Sequence, residues 1–348
     1  MPRVRAVLTA AILLAGASSA HAEWNPTLAA RYLDARQEAW FGWKPAQSSD
    51  GPCVSCHTGM TYLLARPALR RALHESGPTT FEVGLLNRLR SKMSKPQEGE
   101  LGTVEAVMSA MFFSRQDAQD TMRSHAEQAF DRLWETQDTG GASKGVWQWY
   151  EANLDPWENH ESVYYGASLV ALALGQMPAR YRQGMRGRTN AAALMAYLAS
   201  PPATPRLHDR LALLWASAAM PGLLSDTARQ ALIAETFSKQ QADGGWTLGS
   251  LGPWMTHADA PPSAGSHAYA TSFTVFALQR AGVPPATAGL AKAIAWLRAQ
   301  QDPATGAWPA VSMNKRYPDG SMMSLFMQDA ATAFASIVLV EADAARPR

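Results

Sequence analysis

Gln240-Gln241-Ala242-Asp243-Gly244-Gly245-Trp246 closes one helical pattern and opens a long loop, and the same grammar returns twice in the chain. Gln137-Asp138-Thr139-Gly140-Gly141 leads on to Trp147, and Gln300-Gln301-Asp302-Pro303 leads through Gly306-Ala307 to Trp308. Each time a helix ends in glutamine, a glycine-containing turn follows, then a tryptophan, a variable loop and an alanine-rich helix. The match runs past the turns. Thr271, in Ala270-Thr271-Ser272-Phe273, lies 25 residues beyond Trp246, and Thr332, in Ala331-Thr332-Ala333-Phe334, lies 24 beyond Trp308. Self-similarity of this kind marks stacked supersecondary units, none of which can bury its apolar stripe alone.

Working outward, apolar residues at helical spacing predict helices over residues 28–40, 62–74, 81–93, 104–113 and 117–137. Two more, over 190–198 and 208–219, are joined by the breaker Pro201-Pro202-Ala203-Thr204-Pro205 and look like a hairpin without the Gln-Trp turn. About twelve helices and no convincing strand make six antiparallel pairs, which close on themselves when bent into a ring. The expected fold is therefore all-α, an α/α toroid in one domain over residues 23–348. Its long connections, 41–52, 138–159, 242–266 and 302–327, would gather at one end of the central funnel, where a site is normally built.

The N-terminus reads as a targeting segment. Arg3 and Arg5 form a basic region, residues 6–17 an apolar one, and Ala20-His21-Ala22 a small-x-small cleavage site. Residues 1–22 are expected to be a signal peptide and the protein to be periplasmic, starting at Glu23. No later run reaches the roughly 18 apolar residues of a membrane helix. Loss of Arg3 and Arg5 takes the basic count from 31 to 29, equal to the 29 acids. A neutral chain has no long-range field for nucleic acid.

Both cysteines of the chain fall in Cys53-Val54-Ser55-Cys56-His57. In an exported protein this spacing predicts one covalent haem c: thioether links from Cys53 and Cys56, and His57 as proximal iron ligand. A redox-active or structural C-x-x-C pair, or a metal site completed elsewhere, are the other readings. At the loop end of the ring, His267 or His160 could supply the sixth ligand, and an open distal position is a third option. Trp149, Tyr150, Trp157 and Trp254 crowd the same loops and could wall a haem pocket or an apolar cleft. Glu158 and Glu161 flank His160, either for proton transfer or as a solvated acidic loop.

The three turns resemble the QW repeats of squalene-hopene cyclase and related terpenoid cyclases, over roughly residues 117–342. That resemblance implies an α/α toroid. It also implies that Gln137 with Trp147, Gln240 or Gln241 with Trp246, and Gln300 or Gln301 with Trp308 tie outer helices together. The acidic D-x-D-D motif that starts cyclase chemistry is missing, Asp259 being the nearest acid in a comparable loop. The related prenyltransferases hold zinc through Asp, Cys and His, but both cysteines here lie outside the repeats. The expectation is thus a haem c toroid for electron transfer or haem-assisted redox chemistry, with a periplasmic redox partner. The alternative is a cyclase-like enzyme or binding protein for an apolar small molecule in the funnel.

Overall fold

The computed structural model describes residues 23–346 except 49–50, 95–97, 116–118 and 185–186, so the expected signal peptide lies outside the described residues. Six helices form an outer layer: α1 (Pro26–Gly42), α3 (Thr80–Ser94), α5 (Asp120–Thr136), α8 (Arg188–Ala199), α10 (Asp226–Ser238) and α13 (Ala288–Ala299). Each leads to an inner partner: α2 (Gly59–Ala72), α4 (Gly99–Phe113), α6 (Val163–Gln176), α9 (Leu207–Ser217), α12 (Ala268–Arg280) and α14 (Phe326–Ala344). The described residues also hold two short helices, α7 (Ala179–Gln183) and α11 (Leu248–Leu251), four single turns of 3-10 helix, and a two-residue ladder pairing Gln47–Ser48 with Gly51–Pro52.

Burial explains the two layers. Every residue of α6 from Tyr164 to Leu174, and of α12 from Ala268 to Leu278, is buried, so these helices are apolar all round and rich in alanine. Outer helices bury one stripe: Ala126, Ala129, Phe130 and Leu133 in α5, and Leu290, Ala293, Ile294 and Leu297 in α13. The last inner helix packs on both α2 and α12, which closes the ring. One cavity of about 450 Å³ at the end away from the long loops is lined by Leu64, Phe112, Leu172, Trp215, Phe276 and Ile337, one from each inner helix.

The Gln-Trp turns lock the outer layer. Each indole Nε1–H donates to a carbonyl in the last turn of its own outer helix: Trp147 to Leu133 (2.7 Å), Trp246 to Thr236 (2.8 Å) and Trp308 to Leu297 (2.7 Å). Each glutamine amide spans two carbonyls, one in its turn and one at the start of the next outer helix. Gln137 joins Gly145 to Asn190, Gln240 joins Gly244 to Gly289, and Gln301 joins Gly306 to Asn25. The last bond ties the end of α13 to the cap of α1. Gly244 (φ +104°) and Gly306 (φ +81°) sit in the left-handed region, where an added Cβ would run into Lys292 and Leu28. The repeated threonines are accounted for too: Thr271 and Thr332 accept from the backbone N–H of Trp246 (2.9 Å) and Trp308 (3.0 Å).

Two expectations change. Helix α2 starts at Gly59 rather than at residue 62, because the Ser55 hydroxyl accepts from the N–H groups of Thr58 (3.1 Å) and Gly59 (3.0 Å) and so takes up donors at the helix start, leaving residues 53–57 outside it. Met323–Ala344, at 22 residues, is long and apolar enough to cross a membrane, contrary to the sequence count. In the ring it is an inner helix with 67% of its most apolar window buried.

Candidate functional site at the loop end of the ring

Inner helices all point their N-termini, and hence their positive dipole ends, toward the long loops. Buried acids collect there. Asp329, in the first turn of α14, accepts from Arg36 Nε (2.7 Å) and Nη2 (3.1 Å), from Tyr32 Oη (2.9 Å) and from Thr58 Oγ1 (2.8 Å). Asp155 and Asp209 share Arg206, whose guanidinium reaches Asp155 Oδ1 at 2.5 Å and Asp209 Oδ2 at 2.9 Å and lies 5.0 Å from the Trp254 ring. His208 is wedged between Asp209 (2.7 Å) and the Tyr269 hydroxyl (2.8 Å). Of these groups the sequence reading had singled out only Trp254.

The Thr58 hydroxyl decides the state of His57. It has one hydrogen, given to Asp329, so its contact with His57 Nδ1 at 2.8 Å must be an acceptance from Nδ1–H. Nε2 is left with the lone pair. Burial, with a smaller push from Arg36, holds His57 down at about 3, so the ring is neutral in ordinary buffers. The same ring lines a small cavity with Glu158, Tyr317 and Phe326 at the funnel mouth. Glu158 is raised from 4.5 to about 7 by burial. A neutral base and a carboxyl protonated near pH 7 therefore share one cavity.

Beside the mouth, across the wall formed by residues 154–160, lies a cleft of about 640 Å³ at the N-terminal ends of α4, α6 and α9. Trp147, Trp149 and Tyr197 form its walls, and Glu100, Glu151 and Glu161 offer carboxylates. Glu151 is committed to the loop, accepting from the N–H of Asn153 and His160. Glu161 is half exposed and 3.7 Å from Arg206 Nη1.

Residues of the expected haem string do not fit a macrocycle as folded. The His57 ring stacks on Phe326 at 3.6 Å between centroids, with Trp40 at 5.5 Å and Trp157 at 6.2 Å. The cavity it lines is about 30 Å³, room for a water or two. Cys56 is buried, and burial drives its thiol well above the usual range and Cys53 to about 11, away from the reactive thiolate. The expected sixth ligands face elsewhere: His160 is exposed on the wall of the large cleft, and His267 lines a third cavity. Among the described residues no group of three His, Cys, Asp or Glu side chains could hold a metal ion.

No family model and no curated relative matches the chain. Solved structures do. A glycosidase variant shares 12% identity at a TM-score of 0.53, covering 92% of this chain and 98% of its own. A polysaccharide lyase shares 13% at 0.52, covering 93% and 99%. A glycosidase in complex with glucose shares 13% at 0.51, covering 92% and 98%. The chain is an α/α toroid. These neighbours correct the family resemblance, since they are carbohydrate enzymes rather than terpenoid cyclases. The Gln-Trp bonds serve hairpin stacking, which a ring needs whatever it acts on. The neighbours and the filled space around His57 together overturn the reading as a haem redox protein or cyclase.

Proposed function

We propose that the chain is an exported carbohydrate-active enzyme that lays a saccharide over the funnel mouth, its chain running on into the neighbouring 640 Å³ cleft, and works on it by proton transfer at the mouth. Glu158 is the proton donor and His57 Nε2 the acceptor. The observation that carries this is their opposed protonation in one cavity: a carboxyl lifted to about 7 and an imidazole held at about 3. Aromatic walls with carboxylates and Arg206 suit the apolar faces and hydroxyls of sugar rings. Export rests on the basic, apolar and small-x-small order of residues 1–22. The neighbouring glycosidases and lyase share the ring that presents such a cleft.

The test is a panel of neutral and acidic oligosaccharides and polysaccharides, assayed for new reducing ends and for unsaturated products. Cleavage of at least one member is expected, with Glu158→Gln and His57→Gln each lowering turnover by roughly 10²–10⁴-fold while saccharide binding persists. A folded protein that neither binds nor cuts any member overturns the proposal. Hydrolysis would assign His57 to a water, and elimination would assign it to a substrate C–H.

A further inference from the structure

His208, in the first turn of α9, and Tyr269, in the first turn of α12, are fully buried behind the funnel mouth and take no part in the proton transfer proposed there. Their hydrogen bonds can be assigned one by one. Burial lowers the His208 pKa despite its bond to Asp209, so the neutral ring carries a single N–H. The Asp209 carboxylate, whose other oxygen takes Arg206, accepts at 2.7 Å and places that hydrogen on Nδ1. Nε2 is left as an acceptor, so its contact at 2.8 Å is a donation from the Tyr269 hydroxyl. With its one hydrogen spent, the Tyr269 oxygen can only accept, and it accepts from the Trp157 indole N–H. The Trp157 and Tyr269 rings meet edge-on, 5.2 Å between centroids at 79°.

Trp157 carries this chain into the mouth. It immediately precedes Glu158, its ring lines the cavity that Glu158 shares with His57, and it lies 6.2 Å from the His57 ring. Bonds within the loop fix the backbone on either side: the Trp157 carbonyl accepts from Trp149 Nε1–H (2.6 Å), and Glu158 N–H donates to the Leu154 carbonyl (2.8 Å). Those bonds do not set the side-chain rotamer. An indole has one polar atom, so the Tyr269 oxygen is the polar contact that selects the orientation of the ring.

We propose that Tyr269 is a positioning residue for the reaction at the mouth: the chain Asp209–His208–Tyr269–Trp157, running from the cleft wall to the mouth, holds the indole where it sets the gap between Glu158 and His57. This rests on the reading of Glu158 and His57 as proton donor and acceptor. Tyr269, wholly buried, touches no substrate and acts through Trp157. A misplaced wall at the mouth costs turnover more than affinity, because the saccharide keeps its contacts in the neighbouring cleft, which Trp157 does not line.

A double-mutant cycle in the whole protein tests it. On a saccharide that the enzyme cleaves, Tyr269→Phe should lower kcat by about tenfold with KM within about threefold, and Trp157→Phe, whose ring has no N–H, should lower kcat at least as far. The double variant should be no slower than Trp157→Phe alone, since the bond is already gone. A Tyr269→Phe loss of the same factor in both backgrounds marks an independent structural defect and overturns the proposal, as does an unchanged kcat. Two spectra need no substrate. Nitrogen NMR should show His208 protonated at Nδ1 and bare at Nε2, and the Trp157 indole N–H resonance should move in Tyr269→Phe; the opposite tautomer or an unmoved resonance overturns the chain. Loss of all activity on the panel with both spectra as expected instead overturns the reaction and leaves the chain standing. Should Tyr269→Phe fail to fold, the His208 tautomer of the unaltered protein decides.

Discussion

Asp329 shows how a single residue can govern the candidate site without touching it. It neutralises Arg36 and accepts the Thr58 proton, and that acceptance fixes the His57 tautomer. Asp329→Asn leaves a guanidinium at 10% side-chain exposure without its counter-charge, so we expect a loss of about 3–5 kcal/mol in urea denaturation, the usual cost of breaking a buried pair. Thr58→Val asks a narrower question. The His57 Nδ1–H then loses its acceptor, so the tautomers should become mixed in nitrogen NMR, and turnover should fall more than stability. Neither partner was visible in the sequence, because Thr58 and Asp329 are 271 positions apart. Local spacing did single out His57 and Glu158, the glutamate for proton transfer or a solvated loop and the histidine for a reason that did not survive. His57 was read through its cysteines, whereas its surroundings are set by Phe326, which arrives from the last inner helix.

At the level of elements, the Gln-Trp turns were legible because glutamine, glycine turn and tryptophan lie within about ten residues of one another, and the helices because apolar spacing is local. What the sequence could not decide was which glutamine of each pair acts. A shift of one residue around the turn moves the amide from the neighbouring helix to solvent. Gln240 reaches Gly289, whereas the Gln241 amide finds only the Lys239 carbonyl at an exposed position. Gln240→Ala should therefore cost about 1–3 kcal/mol by orphaning two carbonyls, while Gln241→Ala stays within about 0.5 kcal/mol, both read from denaturation midpoints. Gln301 carries more than its two bonds, since it joins α13 to α1 and with them the two ends of the ring. Hydrogen exchange should report this: Gln301→Ala is expected to speed exchange in α1 while leaving α6 and α9 protected, and uniform acceleration would show that the closure is made elsewhere.

For the whole molecule, concentrating helix N-termini, buried acids and buried histidines at one end makes stability depend on pH in a direction that can be worked out. Burial lowers His57 to about 3, His267 to about 4, and His208 below its ordinary value despite its bond to Asp209. In the unfolded chain each would titrate near ~6.5, so as pH falls below that value the unfolded state gains protons that the folded state refuses. Their contribution is complete above ~6.5 and is lost as pH drops toward the folded values. Glu158 works the other way. Held at about 7 when folded and near ~4.5 when unfolded, it keeps a proton the open chain sheds, so its contribution is present at low pH and lost as pH rises through 7. His57 and His267 against Glu158 leave a net uptake of about one proton on unfolding, a slope approaching ~1.4 kcal/mol per pH unit between about pH 6 and 5, and His208 adds to it in the same direction. Urea midpoints across that interval should fall steeply on acidification. His57→Gln or His267→Gln should each lower the slope by about one proton, and Glu158→Gln should steepen it by about one. A flat profile would mean that these rings meet solvent in the folded state, and the base assigned to the funnel mouth would then be charged where it has to accept a proton.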